Sequence, residues 1–305
     1  EQSFWALGSF NTGAVRLNYL GDWKRVIGNA DLNVEARAYI PQNSQNFFGL
    51  GNGSTKDPEA ARSYYRARFN LYDFEPSLKW QTDKHSSFKI GPALQYYHMN
   101  TDNNEDRFIL SGAALGTYDS STVDRDKLFV GFKAKYKRDN RDNPILSTRG
   151  GYLETEVLGY QGLNSYSKAF VQAKAEVGFN FGIADNAIIL ANRTGGGVTF
   201  GKAAFYQSLF IGGHGNLRGY RGYRFAGEHV FYNNLEARIR ILDISNYILP
   251  GQLGAVGLYD VGKVWAKGYN TKSWHQGYGG GLYFSPAKMF VVQYVWAKSR
   301  EGWQP

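Results

Sequence analysis

The sequence predicts an all-β fold, a transmembrane antiparallel β-barrel, and three observations predict it. Apolar residues alternate with polar ones at period two through most of the chain. Within 305 residues, 16% are aromatic and 37 are glycine, a mixture that suits strands meeting a lipid interface. The longest stretch without a charge, Ile244–Tyr259, contains Asn246, Pro250, Gln252 and three glycines, so it is no spanning helix. A mean hydropathy of −0.44 does not argue against a membrane strand, because alternating faces average to near neutral.

Thirteen segments carry the pattern: 3–10, 13–23, 30–40, 63–81, 86–98, 107–118, 127–138, 151–161, 167–182, 187–200, 229–241, 253–266 and 274–298. The last holds two strands around a turn at Ser285–Lys288, so about fourteen strands are expected. The first hairpin sets Tyr19 and Trp23 near a strand end, where an aromatic girdle belongs. Segment 63–81 changes face near Asp73 and Phe74, which predicts a bulge. Segment 86–98 ends in Tyr96 and Tyr97, again girdle positions. Segment 107–118 is the weakest, with a loop as its alternative reading.

In 127–138, Leu128, Val130, Phe132, Ala134 and Tyr136 share one face against Lys133, Lys135 and Lys137. Segment 167–182 opposes Val171, Ala173, Ala175, Val177 and Phe179 to Gln172, Lys174 and Glu176. Segment 229–241 sets Phe231, Leu235, Ala237, Ile239 and Ile241 against Tyr232, Asn234, Glu236, Arg238 and Arg240. Segments 253–266 and 274–298 place Trp265 and Trp296 at strand ends. Strands of about 10–14 residues exceed the 5–6 usual in a soluble sheet and match a tilted membrane crossing. A large soluble sandwich or propeller is the alternative. No linker or compositional break divides the chain, so residues 1–305 read as a single domain.

Inward by parity are Arg16, Arg37, Arg66, Arg68, Lys133, Lys135, Lys137, Lys168, Lys174, Arg193, Arg238 and Arg240, partly offset by Asp31, Glu35, Glu154, Glu156, Glu176, Glu236 and Asp260. A charge facing lipid at the midplane costs about 2–4 kcal/mol, so the lumen is the low-cost side. The net charge of +9 raises nucleic acid as a partner, but the aromatic and glycine content points to lipid instead.

Without cysteine there is neither a disulfide nor a thiolate metal site. Gly196–Lys202 has the spacing GxxxxGK, yet Ala203 stands where magnesium needs a hydroxyl, and no helix is expected to follow. His85, His98, His214, His229 and His275 form no metal-binding spacing. Asp139–Asn143 lacks the calcium-loop pattern and reads as a turn. No catalytic set can be picked out, so the expectation is no enzyme and no cofactor.

The remaining motif lies in a glycine-rich loop of about 27 residues, roughly 201–228, and loops this long are usually functional. Its centre, Leu217-Arg218-Gly219-Tyr220, resembles the (V/L)RG(F/Y) motif of the bacterial surface-antigen barrels. These include BamA, TamA, the two-partner secretion transporters and the organellar Sam and Toc barrels. Three further matches follow the family's order. Arg141–Gly150 resembles its D-N-P-x-x-P-T-x-G periplasmic turn, with Leu146-Ser147 departing at the usual proline. Asn234-Leu235-Glu236 resembles the strand after the loop, and Gly257–Trp265, with Asp260 and Gly262, resembles the D-x-G-x-V-W strand. In the front third, Asn46–Asn52 and Tyr64–Arg68 resemble Bacteroidota members fused to a phosphoesterase-type domain.

The resemblance implies a sixteen-stranded barrel whose first strands would lie before Glu1 and whose last strand would follow Pro305. It implies that the loop folds back into the lumen, that Arg218 meets Glu236 and Asp260, that Gly219 and Gly222 allow the tight backbone, and that Tyr220 wedges against the wall. By resemblance the protein resides in the outer membrane of a Gram-negative bacterium and inserts or translocates unfolded polypeptides. The alternative is an anchor or translocator for an attached phosphoesterase- or lipase-like domain. Outer-membrane lipid and accessory lipoproteins are the other partners implied, with no nucleic acid.

Overall fold

A computed structural model describes residues 1–9, 13–42, 45–111, 116–247, 250–269, 271–286 and 289–305. The strands in chain order are β1 (Gln2–Ser9), β2 (Ala14–Ile27), β3 (Ala30–Gln42), β4 (Phe69–Gln81), β5 (Ser86–His98), β6 (Lys127–Asp139), β7 (Gly150–Gly162) and β8 (Phe170–Ile183). There follow β9 (Ile188–Gly201), β10 (Leu209–Ile211), β11 (Phe225–Gly227), β12 (His229–Ile244), β13 (Gly251–Trp265), β14 (His275–Pro286), β15 (Val292–Ser299) and β16 (Gly302–Gln304). Fourteen of these form one antiparallel sheet in chain order, with β9 paired directly to β12; β10 and β11 make a small ribbon of their own.

The alternation read from the sequence is the register seen in the sheet. Lys133 lies opposite Leu158, Lys135 opposite Glu156, and Glu156 opposite Lys174, so charged residues of three strands share one face. The other face exposes Phe132, Phe179, Phe200, Ile239, Leu282 and Trp296. An exposed apolar surface this extensive suits lipid, not water. No described helix is long and apolar enough to cross a membrane.

The sheet curls around residues 202–228, which join β9 to β12 and touch strands from every side. Gln207 donates to Gln95 of β5 at 2.7 Å, Gln172 of β8 donates to the Gln207 carbonyl at 3.0 Å, and Ser299 of β15 donates to the Gly219 carbonyl at 2.6 Å. The barrel is open between its edges: among the described residues β1 and β16 do not pair. β16 pairs with β15 over Ala297–Ser299.

The three longest connections share one end of the sheet. At one end the strands are joined by 28–29, 82–85, 140–149, 184–187 and 245–250, ten residues or fewer each, whereas 43–68, 99–126 and 202–228 join them at the other. By the usual asymmetry of such barrels, the long-loop end is the outer one. There Phe47, Phe69, Tyr97, Ile109, Phe205 and Tyr206 form a closed apolar core. Tyr97 and Tyr206 stack at 4.5 Å, and Phe69 meets Phe205 edge-on at 5.6 Å. This cap packs over the long-loop end.

Several expectations need correction. In segment 107–118 the loop alternative holds for the described residues, which include a short 3-10 turn at Phe108–Leu110; residues 112–115 lie outside the described residues. No bulge falls at Asp73 and Phe74, because β3 and β4 pair without a shift from Asp31↔Lys79 to Tyr39↔Leu71. The apparent change of face arises because residues 63–68 belong to the cap. The β4–β5 ladder does lapse between Phe74↔Leu94 and Leu78↔Ile90, where Pro76 and Pro92 have no N–H to give. Tyr97 is fully buried in the cap and is no girdle residue. Arg66 and Arg68 precede β4, and the exposed Lys168 precedes β8, so these three are not on lumen strands. Of the turn expected at Ser285–Lys288, residues 287–288 lie outside the described residues.

Candidate functional site

Parity on β12 and β13 fixes the floor of the site. Glu236 and Asp260 sit on adjacent strands, two residues out of direct opposition, since Asn234 pairs with Asp260 and Glu236 with Leu258. Both side chains therefore face the lumen. The loop reaches them through a compact fold of its own. β10 and β11 pair over Leu209↔Gly227 to Ile211↔Phe225. Asn216 accepts from the Gly212 amide and donates to the Phe210 carbonyl, each at 2.9 Å, and so closes the bend between them.

Arg218 is thereby carried onto the wall. Its amide and Nε both donate to Asp260 Oδ2 at 2.8 Å, its Nη2 donates to Asp260 Oδ1 at 2.8 Å, and its Nη1 donates to Glu236 Oε2 at 2.8 Å. The fork on Asp260 is bidentate, and the added backbone bond fixes the loop's height as well as its direction. The Asp260 side chain is wholly buried, and that of Arg218 is 15% exposed. Arg238 Nε approaches the second oxygen of Glu236 at 3.5 Å, so Glu236 is shared between two guanidiniums.

The other motif residues surround this pair. Leu217 is fully buried with Ile211, Phe225, Val230 and Val264. Gly219 has φ +86°, the left-handed region, and its carbonyl accepts from Ser299. Tyr220 is buried between Phe225 and His275, with ring centroids 5.4 and 5.7 Å away. Gly262 lies beneath the loop, where an added Cβ would stand 3.1 Å from Ile211 Cδ1. Gly222 meets no such demand: a Cβ there finds open space.

Sequence reasoning missed three contributors. Gly277 on β14 lies directly under the Arg218 carbonyl. Its only signal was its place in the glycine-rich run 277–281. Asp73 and Glu75 face inward on β4, hidden by the expected bulge; Arg37 contacts both, at 3.5 and 2.8 Å. From there a chain of ion pairs runs along the wall. Lys133 bonds Glu75 at 3.0 Å and approaches Glu156 at 3.6 Å, and Lys135 meets Glu156 at 3.0 Å. Lys89 pairs with Glu35. These pairs brace the lumen and leave little free positive charge on that wall.

The turn 140–149 forms a strap at the short-turn end. Leu146 is buried against Val256 of β13 and Tyr283 of β14, several strands away across the mouth. Arg238 Nη2 donates to the Ser147 carbonyl at 3.1 Å. Asp142 holds the strap in shape, accepting from Ser147 Oγ at 2.9 Å, the Thr148 amide at 3.0 Å, the Arg149 amide at 3.2 Å and Thr148 Oγ1 at 2.5 Å. Partial burial raises the Asp142 pKa, but these hydrogen bonds outweigh it and hold the carboxyl well below the usual carboxylate range. A depressed folded value means the contribution is present above the unfolded pKa of about 4 and lost on acidification below it. Asp142→Ala is expected to increase proteolysis at 140–149 at pH 7, and the wild-type strap to loosen likewise as pH falls below about 4. Equal cleavage of both proteins at pH 7 would refute this role.

The family model described as "Omp85 superfamily domain" matches residues 9–301. Among solved structures, the fold is similar to BamA from Haemophilus ducreyi lacking POTRA domains 1–3, at 13% identity and TM-score 0.63, over 98% of this chain and 66% of that one. It is also similar to CdiB from Escherichia coli, at 13% identity and TM-score 0.57, over 94% and 49% of the two chains. CdiB from Acinetobacter baumannii gives 13% identity and TM-score 0.56, over 97% and 50%. The chain thus spans half to two thirds of the length of these structures. No curated protein matches it.

Proposed function

The chain belongs to the Omp85 superfamily, and from that premise we propose that it is an outer-membrane barrel of a Gram-negative bacterium that inserts or translocates polypeptides. The observation that carries this reading is the Arg218 fork onto Asp260, which ties the Leu217–Tyr220 loop to the inner wall. In this reading the site positions a loop. Its substrate would be an unfolded polypeptide, its solvent outer-membrane lipid, and its helpers accessory lipoproteins.

A second reading, an anchor or translocator for an attached enzyme domain, draws support from the cap packed at one end and the strap that reaches β13 and β14 at the other. The segments 46–52 and 64–68, which meet where Phe48 stacks on Tyr65 at 4.4 Å, favour a relation to Bacteroidota barrels joined to a phosphoesterase-type domain.

The test is reconstitution into lipid vesicles with an unfolded outer-membrane β-barrel client. Faster appearance of protease-resistant client than in empty vesicles, reduced by Arg218→Ala, supports insertion. Equal rates would sink that reading and leave the anchor. In planar bilayers the intact protein should show low conductance, rising when residues 212–223 are deleted. A large steady pore before deletion would show that the loop does not fill the lumen.

A further inference from the structure

Six residues after Arg218, a second arginine is buried more deeply. The Arg224 side chain is 3% exposed and touches three parts of the chain. Its Nε donates to Glu301 Oε1 at 2.5 Å, in the turn between β15 and β16. Its Nη1 and Nη2 donate to Ser54 Oγ at 3.0 Å and the Ser54 carbonyl at 2.8 Å. The guanidinium lies between the rings of Phe48 and Phe225, 4.8 and 4.4 Å from their centroids. A planar cation that forks and stacks at once is a task lysine cannot reproduce.

The geometry points to Arg224 as the positioning residue that fixes the last hairpin of the sheet to the outer cap, so that moving the 46–54 segment from outside releases that edge. Two features make the connection specific. β15 is laddered to β14 from Val292 to Lys298, and beyond that ladder the turn into β16 makes contacts outside the sheet. Those contacts are Glu301 on Arg224 and Ser299 on Gly219, both to the same loop. Two residues before Ser54 the cap segment is tied again by Asn52, whose amide donates to Thr271 Oγ1 and the Ser273 carbonyl and whose Oδ1 accepts from the Val264 amide. Displacing Ser54 therefore removes two of the hydrogen bonds that orient the guanidinium toward Glu301. This inference stands apart from what the barrel moves, since it concerns only the coupling of outer surface to sheet edge.

The native chain has no cysteine, so spin labels can be placed at Thr55→Cys and Trp303→Cys alone, on the otherwise intact chain in detergent. Electron double resonance should give one narrow distance distribution. Arg224→Ala should broaden it, with faster amide exchange in 292–304 and unchanged exchange in 230–262. Arg224→Lys should not restore the narrow distribution. Ser54→Ala with Glu301→Gln, a milder pair that keeps the arginine, should broaden it partially, and decides the matter if Arg224→Ala does not fold. A distribution that stays narrow in both variants, or exchange that rises equally along the whole barrel, would overturn the proposal.

Discussion

Replacing Asp260 with alanine is expected to release the lumen loop while leaving most of the barrel wall paired. Asp260 accepts three of the hydrogen bonds that hold Arg218, and its side chain is fully buried. Its loss leaves a largely buried guanidinium with Glu236 as its remaining carboxylate. Removing one partner of a buried pair costs on the order of 3 kcal/mol, because the other charge stays desolvated. Lumen water at the partly exposed Arg218 lowers that figure. Glu236→Ala should cost less, since the Asp260 fork and the backbone bond survive it. The order of effects, Asp260 before Glu236, is thus fixed by the count of bonds each supplies. Limited trypsin digestion at Arg218, Arg221 and Arg224, with thermal unfolding in detergent, reads both. Exchanging the charges should recover only part of the loss, because the backbone amide of residue 218 would then face a cation. Equal protease resistance of Asp260→Ala and wild type would show that the fork does not hold the loop.

How far this site was legible in the sequence follows from what strands and loops impose. On β12 and β13 a fixed period of two settles the face of Glu236 and Asp260 once one neighbour is placed, so their orientation follows from parity. The same rule ordered the lysines of β6 and the acids of β7. It has no hold on residues 45–68 and 99–126, where the chain is aperiodic and order comes from contacts such as Tyr97 on Tyr206. A strand pattern extended into that region misassigned 63–68, and with it the positions of Arg66 and Arg68, while the bulge expected at Asp73 and Phe74 hid the inward faces of Asp73 and Glu75. Arg224 was missed for a related reason. Its partners Ser54 and Glu301 are 170 and 77 residues away in sequence, and nothing local marks either. The family motif found Arg218 because its partners lie on strands whose faces were already known.

Gly277→Val should be as damaging as any substitution of a charged residue at the site. Gly277 is paired with Asp260 across β13 and β14. A Cβ built on it falls 1.9 Å from the Arg218 carbonyl oxygen, far inside any contact real side chains make. The obstacle is backbone, so no rotamer change relieves it; the loop must lift or β14 must retreat. Lifting the loop lengthens hydrogen bonds that now stand at 2.8 Å, the amide bond to Asp260 first. Overpacking of this kind costs about 1–3 kcal/mol before the lost bonds are counted. Because both changes act on one contact, Gly277→Val combined with Asp260→Ala should cost less than the sum of the two. Gly257, on β13 of the same wall, supplies the control: its Cβ would meet nothing within 4 Å. Gly257→Ala should therefore leave unfolding and protease resistance near wild type. If Gly277→Val behaves like that control, the loop does not lie flat on β14, and the close seating of Arg218 on the wall is wrong.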